Sequence, residues 1–300
     1  MTRLSLWLVT ALTALGPAIW GSTYIVTTEI LPADRPFIAA FLRCFPAGVI
    51  LLLWSRRMPA QGEWGRTLIL AALNIGAFQA LLFVAAYRLP GGLAAVVGAA
   101  QPLVVIALAW ALEGKRPISL ALVACVLGIV GMGILLLSPH SQWDAWGMLA
   151  AIVGALCMAL GTYLSHRWRS SMPILAFTAW QLMLGGLMLA PLALWLDPPL
   201  DGSLSMMQIS GYLYLCLVGA LLAYTLWFRG IAVLPSVAVS SLGLLSPLTA
   251  VILGWLILGQ AMTGTSLLGM VLVMGSVLAV QWISNRPPAP RSEGRKKSAP

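Results

Sequence analysis

Charge is what this sequence has least of. Asp, Glu, Lys and Arg make up only 8% of its 300 residues, against roughly a quarter in a soluble domain. Histidine occurs twice and cysteine four times. Cys44, Cys125, Cys157 and Cys216 each fall inside an apolar run, which excludes a disulfide framework and a metal site and reads as small buried hydrophobes. None of the eight acids lies at the centre of an apolar run, and no run carries a cluster of His, Asp, Glu or Cys. We therefore expect no catalytic residue, no metal, no cofactor and no enzyme activity.

What remains is apolar: 60% of the residues are hydrophobic and the mean hydropathy is +0.95. A spanning helix needs about 20 apolar residues, so ten spans would use roughly 200 and leave no room for a soluble domain. Hydropathy places them at 6–28, 37–54, 67–87, 93–112 and 118–137, then 145–165, 174–195, 207–228, 236–258 and 263–283. Long unbroken runs argue for helices and against the alternation of a barrel.

The basic residues sort well if both termini are cytoplasmic. Arg3, Arg56, Arg57, Arg66, Lys115, Arg116, Arg167, Arg169, Arg229 and the five in residues 285–300 then face inward, and only Arg35 and Arg88 face outward. A bacterial inner membrane, crossed many times, is the expected location. The net charge of +9 needs no nucleic acid, because basic loops facing anionic lipid account for it. Arg43 alone sits within a span, six residues in from its outer end, or about 9 Å at 1.5 Å per residue. A structural part is expected for it, pairing with carbonyl ends or snorkelling outward.

Shifted by 145 positions, the chain aligns with itself. Phe83 falls on Phe228, Leu89-Pro90 on Leu234-Pro235, Gly98 on Gly243, Pro102 on Pro247, Trp110 on Trp255 and Gly114 on Gly259. Upstream the shift is 139, with Thr23-Tyr24 on Thr162-Tyr163. Each unit holds five helices, an odd number, so the two copies would enter the membrane in opposite directions. The fold class expected is an all-α membrane protein of ten transmembrane helices, two inverted five-helix repeats around a central cavity. The first repeat covers residues 1–139 and the second 140–284; residues 285–300 form a basic, Pro-rich tail expected to be disordered and cytoplasmic. Inverted repeats with Pro-interrupted helices place a binding site near the midplane between them.

At these residues the chain resembles the drug/metabolite transporter superfamily, in its ten-helix EamA branch. The resemblance rests on Trp20-Gly21-Ser22, on Arg43 in FLRCF, and on the paired spacing of Pro90, Pro102 and Gly114 with Pro235, Pro247 and Gly259. It extends from about residue 12 to residue 283. One departure is Glu113-Gly114 where the family has Gly-Glu, which predicts no structural part for a carboxylate there. The central aromatics resemble most the branch's aromatic amino-acid exporters. That implies a carrier of aromatic and other neutral amino acids and similar metabolites out of the cytoplasm by alternating access. The cavity would be lined by the first, third, fourth, sixth, eighth and ninth helices.

Such a cargo needs an aromatic wall and a few placed polar groups. Trp20, Tyr24, Phe83, Tyr163, Tyr224 and Trp227 lie near helix centres, and so do Gln79, Gln101 and Ser246. The 145 shift places Gln79 on Tyr224 and Gln101 on Ser246. Gly16-Pro17, Gly98, Pro102, Gly243 and Pro247 are candidate hinges, because proline frees a carbonyl one turn earlier. Trp7, Trp54, Trp143, Trp146, Trp195 and Trp282 fit an interfacial belt. Lacking a mid-span acid, transport is expected to be facilitative; a proton-coupled exporter of drugs or aromatic cations is the alternative. Besides cargo, the expected partner is membrane lipid, and the working unit a monomer.

Overall fold

The structure is a computed structural model that describes residues 3–88, 97–114, 118–136, 144–200, 202, 204–259 and 264–284. Pro90, Trp143 and the basic tail lie outside the described residues, as does the side chain of Tyr24. Nine helical segments among the described residues are long and apolar enough to cross a membrane. They are α1 (Ser5–Ile30), α2 (Pro36–Ser55), α3 (Gln61–Ala85), α5 (Ser119–Leu136), α6 (Ala145–Trp168), α7 (Ile174–Leu196), α8 (Met206–Val233), α9 (Ser236–Leu258) and α10 (Gly264–Ser284). Between α3 and α5 runs the shorter α4 (Gln101–Glu113). The chain is thus a multi-pass helical membrane protein, with several helices longer than hydropathy indicated. Glu63 enters the first turn of α3 and Arg229 the last part of α8, where a charged side chain still reaches the polar boundary.

The ends of these helices follow from local sequence. Pro36 opens α2, where the missing N–H is no loss. Asp144 caps α6, its carboxylate accepting from the Gly147 N–H at 2.6 Å. Ser205 and Gln208 close a capping box at the start of α8. Gly114 and Gly259 terminate α4 and α9 in the left-handed region, with φ of 66° and 64°.

Two proline positions behave differently from expectation. The α-helix Arg3–Ile25 runs unbroken through Gly16 and Pro17. The bare Cα of Gly16 serves instead to admit α8, since a Cβ there would lie 3.0 Å from the Ala223 carbonyl oxygen. At the other site α9 does break, between Ser236–Leu242 and Leu245–Leu258. Its Gly243 carbonyl is nevertheless not freed, because it accepts from the Ser246 N–H at 3.1 Å. In the first half a turn at Ala99 and Ala100 precedes α4, and Pro102 sits in the first turn of the restarted helix.

Irregularities recur at the 145 offset. A π-helical turn interrupts α3 at Ala72–Gly76 and α8 at Leu217–Leu222. Contacts recur too, with partners exchanged. Between α5 and α10, a Cβ on Gly128 would meet Ser276 and one on Gly131 would meet Val273. Val273 and Ser276 stand 145 positions after Gly128 and Gly131. Between α2 and α7 the same exchange occurs at an offset of 138: Gly48 abuts Met183, and Gly186 abuts Phe45. Such reciprocity marks a two-fold relation between the contacting surfaces.

The outer surface is apolar, as a lipid-facing one must be. Leu194, Trp195, Trp54 and Met206 are each about four-fifths exposed, with Trp7, Trp146 and Trp282 also open. Cys44, Cys125 and Cys216 are buried, and none of the four cysteines is in a disulfide.

Candidate functional site

The π turn in α8 displaces the backbone so that the Gly219 carbonyl faces sideways, where two side chains donate to it. Trp20 Nε1 of α1 donates at 3.0 Å and Arg43 Nη2 of α2 at 3.1 Å. π turns are frequent at functional sites because they turn a carbonyl out of the helical ladder. One turn further along, Tyr224 and Trp227 face Trp20, with ring centroids 4.8 and 5.3 Å from it. Phe228 stacks on Tyr224 at 5.9 Å and takes Phe177 of α7 edge-on at 5.4 Å. Tyr224, Trp227 and Phe228 are each only 1% exposed.

Polar groups are set into this wall. Gln79 Nε2 of α3 donates to the Tyr224 hydroxyl at 2.9 Å. These are two residues that the 145 shift superimposes, so they meet where the halves meet. The Arg43 guanidinium lies 6.0 Å from the Tyr224 ring centroid, within cation–π range. Three atoms of the cluster are buried with no hydrogen-bond partner: Arg43 Nε, Gln79 Oε1 and Trp227 Nε1. A buried polar atom without a partner costs about 1–3 kcal/mol, so three in one cluster call for a ligand group or a change of state.

The structure therefore brings together Trp20, Gln79, Tyr224 and Trp227. Gln101 stands at the α9 break, its Oε1 3.7 Å from where a Cβ on Gly243 would be, and its Nε2 is also without a partner. Ser246 lies at the crossing of α1 with α9, where a Cβ on Gly21 would come 2.5 Å from its carbonyl oxygen. Phe83 is half-buried and meets Phe37 edge-on at 6.5 Å, apart from the central rings.

Tyr163 is placed elsewhere. Its hydroxyl donates to Glu113 Oε1 at 2.7 Å and accepts from Arg167 Nη1 at 3.0 Å, and Arg167 pairs with Glu113 at 3.6 Å. The cluster ties the end of α4 to the end of α6. The expectation that no carboxylate has a structural part here is thus corrected: the preceding residue turns its side chain toward α6 as Gly114 stops the helix. At the other end of the bundle Arg88 pairs with Asp144 at 3.7 Å. There Asp197 accepts from the Ile38 N–H at 2.6 Å, and burial still pushes its carboxyl above the ordinary value.

Two features escaped the sequence reading. Arg43 pairs with a carbonyl, one of the two parts expected for it, but that carbonyl is Gly219 within the ring cluster and not a helix end, and the side chain does not snorkel outward. A second buried network joins Asn74 of α3 to α6 and α7, with Asn74 Nδ2 donating to Ser165 Oγ and to Gln181 Oε1, each at 3.1 Å. Gly161 makes room for it, since a Cβ there would strike the Asn74 amide. Among the described residues no group of three or more His, Cys, Asp or Glu is placed to hold a metal ion.

A multi-pass bundle with buried charged and polar clusters set on interrupted helices has the build of a membrane carrier. The chain belongs to the EamA-like transporter family, whose pattern matches it twice, over residues 7–137 and 145–282. It is a transporter and not an enzyme. It is 43% identical over 270 residues to Protein PecM of Dickeya dadantii (strain 3937), covering 89% of this chain and 90% of that one. It is 29% identical over 267 residues to the uncharacterized transporter YwfM of Bacillus subtilis (strain 168), covering 87% and 89%. A solved crystal structure has the same fold at a TM-score of 0.77, with 17% identity, 93% of this chain and 99% of that chain covered.

Proposed function

We propose that this transporter exports aromatic and other neutral amino acids, and similar small metabolites, from cytoplasm to periplasm across a bacterial inner membrane. The observation that carries this reading is the ring cluster of Trp20, Tyr224 and Trp227 with unpartnered donors and an acceptor set into it. That composition suits a cargo with an apolar ring and a zwitterionic head.

The working unit is a monomer of two inverted five-helix repeats, residues 1–139 and 140–284, with both termini in the cytoplasm. The double family match, the paired π turns and the exchanged glycine contacts all support the repeat, and the sorting of the basic residues supports the placing of the termini. Transport proceeds by alternating access as one half rocks against the other, opening the cluster first to one side and then to the other. Gly98, Pro102, Gly243 and Pro247, beside the interruptions of α4 and α9, are the hinges. The Glu113, Tyr163 and Arg167 tie lies at the end bearing Arg167 and Arg169, which the basic residues mark as cytoplasmic, and it closes that side. Coupling to protons is not needed. None of the cluster's hydrogen bonds involves a carboxylate, so it offers no acid to titrate between two sides.

The test is uptake of labelled tryptophan, phenylalanine and threonine into liposomes holding the purified protein, with and without a pH gradient. Saturable flux without the gradient, lowered by Gln79→Leu and by Gln101→Leu, is the expected result. Flux of an aromatic cation driven only by protons, with no amino-acid flux, would overturn it.

A further inference from the structure

Position 219 and position 74 are 145 apart, and the two halves use them alike. In the first half, Asn74 ties α3 to α7 through Gln181. In the second, the Gly219 carbonyl ties α8 to α2 through Arg43. Arg43 and Gln181 are themselves 138 apart, the offset at which α2 and α7 exchange their glycine contacts. The same structural task, one hydrogen bond to the middle of the neighbouring interrupted helix, is thus done by a neutral amide in one half and by a guanidinium in the other. The charge is surplus to that task.

It is also met by no opposite charge among the described residues. Arg43 is 6% exposed, its Nε has no partner, and among the described residues it forms no ion pair. Its neighbours are a carbonyl oxygen and the face of Tyr224. A cation buried in a bilayer protein is expensive and is paired with an anion, with carbonyls or with water; one carbonyl and a ring face meet that need only in part. The unpartnered donors nearby point the same way, since Trp227 Nε1 can also donate to an anion and Gln79 Oε1 can receive an ammonium.

We propose that Arg43 is the anchor for the carboxylate of the cargo. This rests on the amino-acid reading above and adds to it a rule of selection: a cargo must carry a carboxylate, with its ring on Trp20 and Trp227, and an amine lacking one is refused. A guanidinium suits this group because its planar edge offers parallel N–H donors to two coplanar oxygens.

The experiment uses the full chain, wild type and Arg43→Gln, with Arg43→Lys as a second variant. Ligand-induced thermal stabilisation in detergent is read for tryptophan, for tryptamine, which lacks the carboxylate, for indole-3-propionate, which lacks the ammonium, and for inorganic phosphate. Competition with labelled tryptophan uptake is read in liposomes. Because Gln181 does the equivalent task in the other half and the buried charge is costly, Arg43→Gln should unfold no lower than the wild type without ligand.

For wild type we expect tryptophan and indole-3-propionate to bind at least tenfold more tightly than tryptamine, with no stabilisation by phosphate. In Arg43→Gln that preference should vanish, tryptophan weakening at least tenfold while tryptamine holds. Arg43→Lys should keep the preference at reduced affinity, and it decides the matter if the Gln variant does not fold. A tenfold carboxylate preference surviving in Arg43→Gln, or phosphate stabilising wild type as well as the carboxylates do, would overturn the proposal. Wild type that carries no amino acid yet prefers indole-3-propionate to tryptamine through Arg43 would sink the amino-acid reading and leave the anchor standing.

Discussion

At the residue scale the cluster shows which side chains announce themselves. Gln79 and Tyr224 were legible, because a buried amide is rare in an apolar helix and the 145 shift set it against a tyrosine. The structure joins the two by a hydrogen bond. Arg43 was legible as an oddity but its reach was not: the place of α2 in the bundle says nothing of where the end of a long side chain goes. Gly219 was invisible, since a helix carbonyl is released to accept from side chains only where the regular ladder is interrupted, as the π turn does here by sending the Ala223 N–H to other carbonyls. Asp197 offers a test that needs no cargo. Burial raises its carboxyl pKa in the folded protein, so it favours folding while protonated, and that contribution is lost as pH rises past about 3.9 and through the higher folded value. Asp197→Asn keeps an oxygen for the Ile38 N–H and has no charge to desolvate. Thermal unfolding in detergent should fall for wild type relative to Asp197→Asn as pH rises through that window, and the two should converge below it. A wild type that instead gains on the variant with rising pH would show that the backbone bond outweighs burial.

At the element scale, apolar run length and the glycine and proline positions gave the helices, and charged or polar capping residues set their ends. What stayed hidden was how closely they approach one another, because a glycine in an apolar run looks the same whether it faces lipid or another backbone. Gly21 and Gly275 separate the cases. A Cβ on Gly21 would fall 2.5 Å from the Ser246 carbonyl oxygen and 2.6 Å from Thr249 Cβ, whereas one on Gly275 meets nothing within 4 Å. Gly21→Ala should destabilise the protein by about 1–3 kcal/mol or more through overpacking of α1 on α9. Gly275→Ala should be neutral or stabilise by roughly 0.5–1 kcal/mol, since alanine loses less freedom in a helix. Melting temperatures of the two variants in one detergent make the comparison, and equal values would mean that α1 and α9 are not in contact.

For the whole molecule, the sequence showed duplication but not where the halves hold each other. At one end they are joined by Arg88 with Asp144 and by Asp197 with the Ile38 N–H. The Glu113, Tyr163 and Arg167 tie at the other end has no counterpart in the repeat, because the positions matching Glu113 and Arg167 are Leu258 and Thr28. Arg167 is half exposed there, so the ion pair contributes about 0.2–1 kcal/mol, at most about a fivefold change in a two-state population. Glu113→Gln should raise the labelling rate of a Ser246→Cys probe from the Arg167 side by up to that factor, and an unchanged rate would remove the tie from any closing role. The exchanged glycine contacts carry a further consequence, for biosynthesis. The surfaces of α2 and α5 that bear Gly48, Gly128 and Gly131 are completed by α7, by α10 and by Leu244 at the α9 break, so the first half leaves the ribosome with these packing faces bare. Since α10 is completed about 150 residues after α5, α5 must wait on the order of ten seconds for it at ordinary rates of synthesis. A ribosome that stalls before α10, or a chain clipped ahead of it, would therefore release a protein with one open seam, marked for removal by the helix it lacks.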